Sequence, residues 1–417
     1  MSSADADIVS AVRAQFGDAP PAQLGVAVSG GGDSVALLHI LTRCFDSDTC
    51  RLRAVTVDHG LRPESAEEAL AVRDFACSLG VAHDVLHWEG WDGQGNLQDH
   101  ARRARYGLIG DWARAAGIGT VAFGHTLDDQ AETVLMRLAR ASGVTGLSGM
   151  PVRRETDGIT VLRPVLGLSR HALRDYLTRN RIGWVDDPSN EDPRFDRVKA
   201  RQALAALAPL GVTATCLAAV ADHMAQAREA LDRYSFLAAR DLARVDGGDV
   251  VLDAERFHAL PEEIARRLLV GAIVWIGGAG YPPRGGAVGD ALVTLRRGVS
   301  TVLAGCRILH RGRRIWICRE YAVVRELHGA LTEIWDHRWR LSGGSDKDAE
   351  IRPLGPQGLV LCPSWRDTGR PGEALVATPA VWSGQELIAA PLAGEPNGWR
   401  AELLGGSEGF FTSLLSH

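Results

Sequence analysis

The first 180 residues alternate short apolar runs with longer runs whose apolar positions recur at helical spacing. Short apolar runs between turn residues predict strands, and the longer periodic runs predict helices. The predicted strands span residues 24–28, 52–57, 83–87, 120–123 and 160–166. The predicted helices span residues 33–45, 65–79, 96–116, 128–140 and 169–180. This repeated strand–helix order predicts an α/β fold with a doubly wound, mostly parallel sheet.

The second half of the chain has a different pattern. Residues 202–242 are rich in alanine and poor in turn residues, which predicts helix, and residues 260–276 predict another. Two strand-like runs follow, at 300–310 and 314–319, and the tail is rich in Gly, Pro and Trp. We therefore expect three domains, at 1–202 (α/β), 203–328 (mainly helical) and 329–417 (small, strands and loops).

Composition narrows the class of protein. The 417 residues are 46% hydrophobic and 23% charged, which is typical of a globular protein. No apolar run reaches the ~18–20 residues that span a bilayer, and the acidic N-terminus does not resemble a secretory signal. The seven cysteines form no Cys-x-x-Cys pair, so a zinc ribbon or an iron–sulfur cluster is not indicated. We expect a cytoplasmic protein that does not associate with a membrane.

A glycine-rich turn between the first predicted strand and helix is the main candidate for ligand binding. Its residues are Ser29, Gly30, Gly31, Gly32, Asp33 and Ser34. Glycines let backbone N–H groups approach a ligand closely, and the start of the helix favours an anion. A Walker A loop would carry a lysine, and the spacing does not fit a dinucleotide fingerprint. The pattern indicates a phosphate site, with a tight turn capped by Asp33 as the alternative.

Other polar residues follow neighbouring predicted strands, and the carboxyl ends of parallel strands meet at one edge of a sheet. Asp58 and His59 follow the second strand, and His125 follows the fourth. Asp129 and Glu132 lie three residues apart on the next predicted helix and so share a face. Such a pair suits metal binding, a cationic substrate or base catalysis. The alternative is stabilisation of the helix start, most of all for Asp128 as an N-cap.

Arginines supply nearly all the positive charge, although the net charge is −5. Arg105, beside Tyr106, is the strongest functional candidate in an Arg-rich helix whose other arginines suit a solvated face. A second basic run suits contact with a phosphate backbone, or else forms a solvated hairpin. Its residues are Arg296, Arg297, Arg307, His310, Arg311, Arg313, Arg314 and Arg319.

Together these motifs resemble the tRNA(Ile)-lysidine synthetases, a family of ATP enzymes with a pyrophosphatase-type loop. The resemblance covers residues 20–201 strongly and 255–320 weakly. The segments that carry it are 29–34, 57–62, 101–106, 124–133, 142–150, 163–170 and 184–195. The chain departs from the family near Val198, where an asparagine is usual after an arginine. Arg197, Lys199 and Arg201 still supply positive charge there for RNA phosphate.

The resemblance implies that lysine is joined to C2 of the wobble cytidine in the CAU anticodon of tRNA(Ile), through an adenylated tRNA, releasing AMP and pyrophosphate. It implies ATP, lysine and tRNA(Ile) as substrates, Mg²⁺ organised by Asp33, catalysis by 1–202 and tRNA binding by 203–328. A homodimer is left open. The implied roles are ATP binding by Ser29, Gly30, Gly31, Gly32, Asp33, Ser34, Asp58 and His59, and catalysis by Asp33, Arg105, His125, Asp129 and Glu132.

Other functions remain open from the residues alone. A tRNA 2-thiolation enzyme can share the loop but generally needs paired cysteines. A ligase for small molecules, such as one making NAD or GMP, would form AMP without RNA. A nucleotide sensor without catalysis would not need Asp33, His125, Asp129 and Glu132 together.

Overall fold

A computed structural model of the chain describes residues 2–60, 65–88, 97–156, 158–185, 194–278, 282–344 and 349–415. Leu61, Arg62 and the Asp-Asp-Pro-Ser-Asn motif at 186–190 lie outside these residues. The chain forms two compact units, Met1–Arg228 and Glu229–His417. The division into three domains stays a prediction.

The first unit contains a six-stranded sheet with the order β3-β2-β1-β4-β6-β5. The pairs β3–β2, β2–β1, β1–β4 and β4–β6 are parallel, and only β5 runs antiparallel to its neighbour. This confirms the predicted α/β fold. The strands are β1 (Gln23–Ala27), β2 (Arg51–Asp58), β3 (Ala82–His87), β4 (Thr120–Phe123), β5 (Arg153–Thr156) and β6 (Ile159–Leu162).

Helices cover both faces of this sheet. On one face, Ile109 and Ala113 of α4 pack against Val55 and Val121. On the other, α1, α2, α3 and α7 bury a larger apolar cluster. The helices are α1 (Ser3–Ala14), α2 (Gly32–Cys44), α3 (Ser65–Ser78), α4 (Leu97–Ala115), α5 (Leu127–Leu138), α6 (Val144–Leu147), α7 (Arg170–Arg179), α8 (Asp196–Leu207) and α9 (Ala214–Leu242), the last of which continues into the second unit.

One polar contact joins two of the helices that begin at the carboxyl edge of the sheet. The buried His39 on α2 shares a hydrogen bond with the Tyr176 hydroxyl on α7, with 2.8 Å between Nδ1 and the oxygen. Burial of both rings leaves this pair without water as an alternative partner. The contact therefore holds α2 and α7 together behind their N-terminal residues, Gly32 and Arg170.

The second unit combines a five-stranded antiparallel sheet, order β7-β8-β11-β10-β9, with helices and smaller sheets. The continuous helix predicted at 202–242, which begins in the first unit, is divided there by a turn at Gly211, whose φ is +83°. The strands are β7 (Ala243–Asp246), β8 (Asp249–Asp253), β9 (Thr301–Leu303), β10 (Cys306–Arg311), β11 (Arg314–Arg319), β12 (Gly329–Ala330), β13 (Trp339–Ser342), β14 (Glu350–Pro353), β15 (Pro379–Ser383), β16 (Glu386–Ala389) and β17 (Arg400–Leu403). The helices are α10 (Ala254–His258), α11 (Glu262–Gly277), α12 (Gly285–Arg296), α13 (Tyr321–Val324), α14 (Gly355–Val360), α15 (Gly372–Leu375) and α16 (Glu408–Ser413).

No single helix within the described ranges is long and apolar enough to cross a bilayer, although 196–210 and α9 together, bent by 97°, reach the required length and composition.

A buried carboxyl group in the second unit is expected to affect stability. Asp249 begins β8 and is only 6% exposed. Burial raises its pKa to about 8, aided by Asp246 and opposed by Arg338 and Arg370. An unfolded aspartate has a pKa of about 3.9. Between these two values the folded chain therefore holds a proton that the unfolded chain releases, and the free energy of unfolding falls as pH rises.

Asp249→Asn is expected to flatten this decline, because asparagine has no proton to release. The difference between variant and wild type should grow by on the order of a few kcal/mol from about pH 5 to pH 8. Denaturant unfolding of the full chain at several pH values measures it. Parallel pH profiles for the two proteins would contradict the expectation.

Candidate active site

The glycine-rich turn forms a closed loop at the start of α2. The Ser29 N–H donates to Ser34 Oγ (3.0 Å), and the Ser34 hydroxyl donates to the Gly31 carbonyl oxygen (2.9 Å). Gly30 has a φ of +86°, a conformation that favours glycine. Within the described residues, the N–H groups of Gly30, Gly31 and Gly32 make no hydrogen bond. These donors at a helix start are what an anion site requires.

A second turn lies directly against this loop. A Cβ atom on Gly124, between β4 and α5, would stand 3.0 Å from Ser34 Cα and 3.1 Å from the Asp33 carbonyl oxygen. These neighbours are backbone atoms, so they cannot rotate away as a side chain could. The close approach of the two turns therefore depends on glycine at 124.

The first turn of α5 is capped by Thr126, not by Asp128. The Asp129 side chain accepts from the Thr126 N–H (2.9 Å), and the Asp129 N–H donates to Thr126 Oγ1 (3.4 Å), which together form a capping box. Asp128 Oδ2 instead accepts from the Arg170 N–H (2.7 Å). The expectation of an N-cap at Asp128 was wrong, and its carboxylate joins α5 to α7.

Carboxylates and guanidinium groups from four helices meet next to the phosphate loop. Arg170 Nε lies 3.2 Å from Asp33 Oδ2, and its Nη2 lies 3.4 Å from Asp129 Oδ1 and 3.6 Å from Glu132 Oε1. We call this set the acid–arginine cluster; its members are Asp33, Asp129, Glu132, Arg170, Arg197 and Arg201. The cluster brings together Asp33, Asp129 and Glu132, the three acids to which the family resemblance gives a catalytic role.

Arg197 and Arg201 complete this cluster from α8. Arg197 Nη1 donates to Asp129 Oδ1 (3.0 Å), and Arg201 Nε donates to Glu132 Oε1 (2.6 Å). Both arginines, expected from the sequence to contact RNA phosphate, pair with acids in the structure. Arg170 had no expected role of its own; the available signal was that it begins a helix after a predicted strand. Lys199 lies apart and pairs with Asp196 (3.4 Å).

Burial and neighbouring charges affect the acids differently. Burial raises the pKa of Asp33 to about 6, with Arg170 opposing and Asp129 adding to the shift. Burial also opposes ionisation of Asp129, but Arg197, the Thr126 N–H and Arg170 together lower its pKa. Glu132 is fully buried, and its Oε2 atom has no hydrogen-bond partner within the described residues. Asp129 is thus held as an anion, as a site for a cationic group requires.

His125 is part of an aromatic column beside the cluster. Its ring stacks on Phe123 (6.0 Å between centroids), and Phe123 stacks on Tyr106 (5.1 Å). Burial lowers the pKa of His125, so the imidazole is neutral. Its Nδ1 atom is buried without a partner in the part of the chain that the structure describes. A neutral ring with a free nitrogen can hydrogen-bond a substrate.

Asp58 and His59 lie at the carboxyl end of β2, where Arg105 of α4 contacts His59. Asp58 Oδ1 accepts from the Gly60 N–H (2.9 Å) and the Ser65 hydroxyl (2.7 Å), which lowers its pKa. Arg105 Nη2 donates to His59 Nε2 (3.0 Å). Burial of His59, together with the positive charge of Arg105, lowers the pKa of His59 to about 4. The Asp58 carboxylate therefore stabilises the turn that follows β2, and the neutral His59 ring accepts a hydrogen bond from Arg105.

A cavity of about 800 Å³ joins most of these groups and has the size of a cofactor or substrate site. Ser29, Gly31, Gly32, Asp33, Ser34, Arg105, His125 and Asp129 line it, as do Arg170, Arg174, Arg197 and Arg201. Its apolar wall is formed by Ala27, Val28, Val55, Val57, Ile109 and Phe123. The wall suits a flat nucleobase, and the polar end suits phosphate. Gly30, Asp58, His59 and Glu132 are not among the described lining residues.

Asp33 is the residue near the phosphate loop that would bind Mg²⁺. The described chain has no group of three His, Cys, Asp or Glu side chains that could hold a metal. Mg²⁺ commonly takes one or two carboxylates and completes its shell with substrate phosphates and water. Asp33 Oδ1 is buried and has no protein hydrogen-bond partner in the described ranges. This free oxygen fits a cation that arrives with a nucleotide.

In the second unit, about half of the predicted basic run is neutralised by acids. Arg296 pairs with Glu262 (3.5 Å), Arg313 with Glu255 (3.2 Å) and Arg319 with Asp336 (3.0 Å). Arg311 pairs with Glu373. Arg297, Arg307 and Arg314 have no acidic partner among the described residues. Contact of this run with RNA stays a prediction.

Comparison with known proteins identifies the family of the chain. A family model described as a PP-loop domain matches residues 5–208 and, together with the relatives that follow, makes the chain an enzyme of the ATP-using PP-loop class. The chain is 59% identical to the tRNA(Ile)-lysidine synthase of Ruegeria pomeroyi over 99% of its own length and 98% of that protein. It is 37% identical to the same enzyme of Wolbachia pipientis wMel, over 80% of each chain. The chain belongs to the tRNA(Ile)-lysidine synthase family.

A solved structure of the U34-tRNA thiolase NcsA from Methanococcus maripaludis is also similar. Its TM-score is 0.46 at 15% identity, covering 53% of this chain and 79% of that chain.

Proposed function

We propose that this enzyme joins lysine to C2 of the wobble cytidine in the CAU anticodon of tRNA(Ile), converting ATP to AMP and pyrophosphate. The observation that carries the proposal is the position of Asp129 and Glu132 next to the phosphate loop, with Arg170 contacting both acids and Asp33. A cationic substrate and a triphosphate can therefore meet in one site. We place the reaction in the cytoplasm, where ATP and tRNA are available.

The first step is activation of the base. The N–H groups of the loop and the arginines of the cavity hold the triphosphate of ATP. The O2 atom of cytidine attacks the α-phosphorus, the bond to the β-phosphate oxygen breaks, and pyrophosphate leaves. Mg²⁺ bound by Asp33 and the phosphates would neutralise negative charge. Arg105, which lines the cavity and hydrogen-bonds His59, would contact the cytidine.

The second step is attack by lysine. Its ε-ammonium has a solution pKa of ~10.4 and must lose a proton before nitrogen can attack. Asp129 and Glu132 hold the ammonium, and Arg170, which contacts both acids, favours the neutral amine because like charges repel. A carboxylate accepts the proton, nitrogen bonds to C2, and the C2–O bond breaks as AMP leaves with the oxygen. His125 lines this position with its neutral ring.

The test is lysine-dependent AMP release with two transcripts of tRNA(Ile), one with a CAU anticodon and one with UAU. The proposal expects AMP only with the CAU transcript, together with one labelled lysine per tRNA. AMP formed without tRNA would instead indicate a ligase for small molecules, and sulfur incorporation would indicate a thiolation enzyme. Lysine incorporated into the UAU transcript would contradict the proposed base specificity.

A further inference from the structure

Arginines of the enzyme contact both acids proposed to bind lysine. Arg201 Nε lies 2.6 Å from Glu132, and Arg197 Nη1 lies 3.0 Å from Asp129. Arg170 lies within 3.4 Å of Asp129 and 3.6 Å of Glu132. The lysine ammonium would need the same carboxylate oxygens. Lysine therefore competes with side chains of the enzyme for its own binding site.

The charges of the acid–arginine cluster make this competition strong. Three carboxylates face three guanidinium groups, so the charges of the six side chains in the cluster balance one another. An added ammonium would leave an excess positive charge next to Glu132, which is fully buried. Unpaired charge in such a place is costly. Lysine needs an anion to enter the site with it, or before it.

The nucleotide supplies that anion. The loop that would hold its phosphates carries Asp33, and Arg170 contacts Asp33 and both lysine acids. Arg197 and Arg201 line the same cavity as the loop, and their side chains are about one third exposed. They can therefore turn toward a phosphate while the buried Val198 and Ala200 keep α8 packed. Guanidinium groups bind phosphate with strong, charge-assisted hydrogen bonds.

We propose that Arg197 and Arg201 make lysine binding conditional on ATP: they occupy Asp129 and Glu132 until the phosphates of the nucleotide attract them away. This inference rests on the proposed function, because it takes lysine and ATP as the ligands. ATP and lysine then bind cooperatively, and linkage requires each to raise the affinity for the other by the same factor. Lysine then binds at the acids only after the nucleotide is bound.

The experiment is calorimetric titration of lysine into the full chain, with and without Mg²⁺ and α,β-methylene ATP. No tRNA is present. The wild type should bind lysine about 5- to 150-fold more tightly with the analogue, the usual range for coupled sites. Arg201→Gln and Arg197→Gln should each bind lysine more tightly than wild type without nucleotide, and each should lose most of the coupling. The two variants are independent, so a folding defect in one leaves the other to decide.

Lys199→Gln is the matched control, because Lys199 lies on the same helix and, among the described residues, pairs only with Asp196, outside the cluster. Its coupling should equal that of the wild type. Equal lysine affinity with and without the analogue, in a preparation that incorporates lysine into the CAU transcript, would overturn the inference and keep the proposed function. A preparation that binds ATP but never incorporates lysine would instead overturn the function itself.

Discussion

Asp129→Asn is expected to slow lysine transfer by about 10²- to 10⁴-fold, the usual contribution of a positioned acid or base. Asparagine keeps an oxygen for the Thr126 N–H, so the capping box loses little. It removes the negative charge that attracts the ammonium and balances Arg197. Single-turnover lysine incorporation measures the effect, and pyrophosphate release in the same reaction should change far less, since adenylation precedes attack by lysine.

Thr126→Val removes the side-chain cap of α5 but keeps the negative charge of Asp129. Valine has nearly the shape of threonine but can neither accept from the Asp129 N–H nor donate to the Asp129 carboxylate, so the variant should lose about 1 kcal/mol of stability. Its rate of lysine transfer should stay near that of the wild type because the Asp129 carboxylate is kept. If Asp129→Asn transferred lysine as fast as wild type, or if Thr126→Val were the slower variant, Asp129 would serve only to cap the helix.

Gly124→Ala is expected to raise the KM for ATP by about tenfold or more. The added Cβ would meet the backbone of Asp33 and Ser34 at 3.0–3.1 Å. Relief requires the two turns to separate, and overpacking of this kind costs about 1–3 kcal/mol. The strain falls on the loop that would hold the phosphates, so the loss should appear in nucleotide affinity. Steady-state kinetics with ATP varied, and binding of α,β-methylene ATP, measure it.

Gly119→Ala provides the control at the opposite end of β4. A Cβ at Gly119 meets nothing within 4 Å, and its backbone does not require glycine. This variant should bind ATP as the wild type does. An unchanged KM in Gly124→Ala would show that the two turns can part without disturbing the nucleotide site.

The sheet could be predicted because its strands are short apolar runs separated by amphipathic helices. The antiparallel strand β5 could not, because Arg153–Thr156 is polar and mostly exposed and so carries no hydrophobic pattern. The single strand predicted at 160–166 is correspondingly shorter, ending at Leu162. An edge strand of this kind is specified by its pairing with β6, which local sequence does not reveal.

The site could be predicted in part for a related reason. Parallel strands end at one edge, so Asp33, His125 and Asp129 had to lie near one another. The arginine partners come from α7 and α8, and only tertiary packing shows that they face inward. An arginine in sequence reads equally well as a solvated or RNA-binding residue, which is why Arg197 and Arg201 were assigned to phosphate. The hydrogen bonds of Asp58 to its own turn were also invisible to motif spacing.

The sharing of one guanidinium by Asp33, Asp129 and Glu132 has a consequence for mutational studies of this enzyme. Substitutions at these acids will not have additive effects, since removing one changes how strongly Arg170 holds the others. Double-mutant cycles through Arg170 will report large interaction energies even between acids that do not touch. The loss measured for any single substitution is therefore a property of the whole group.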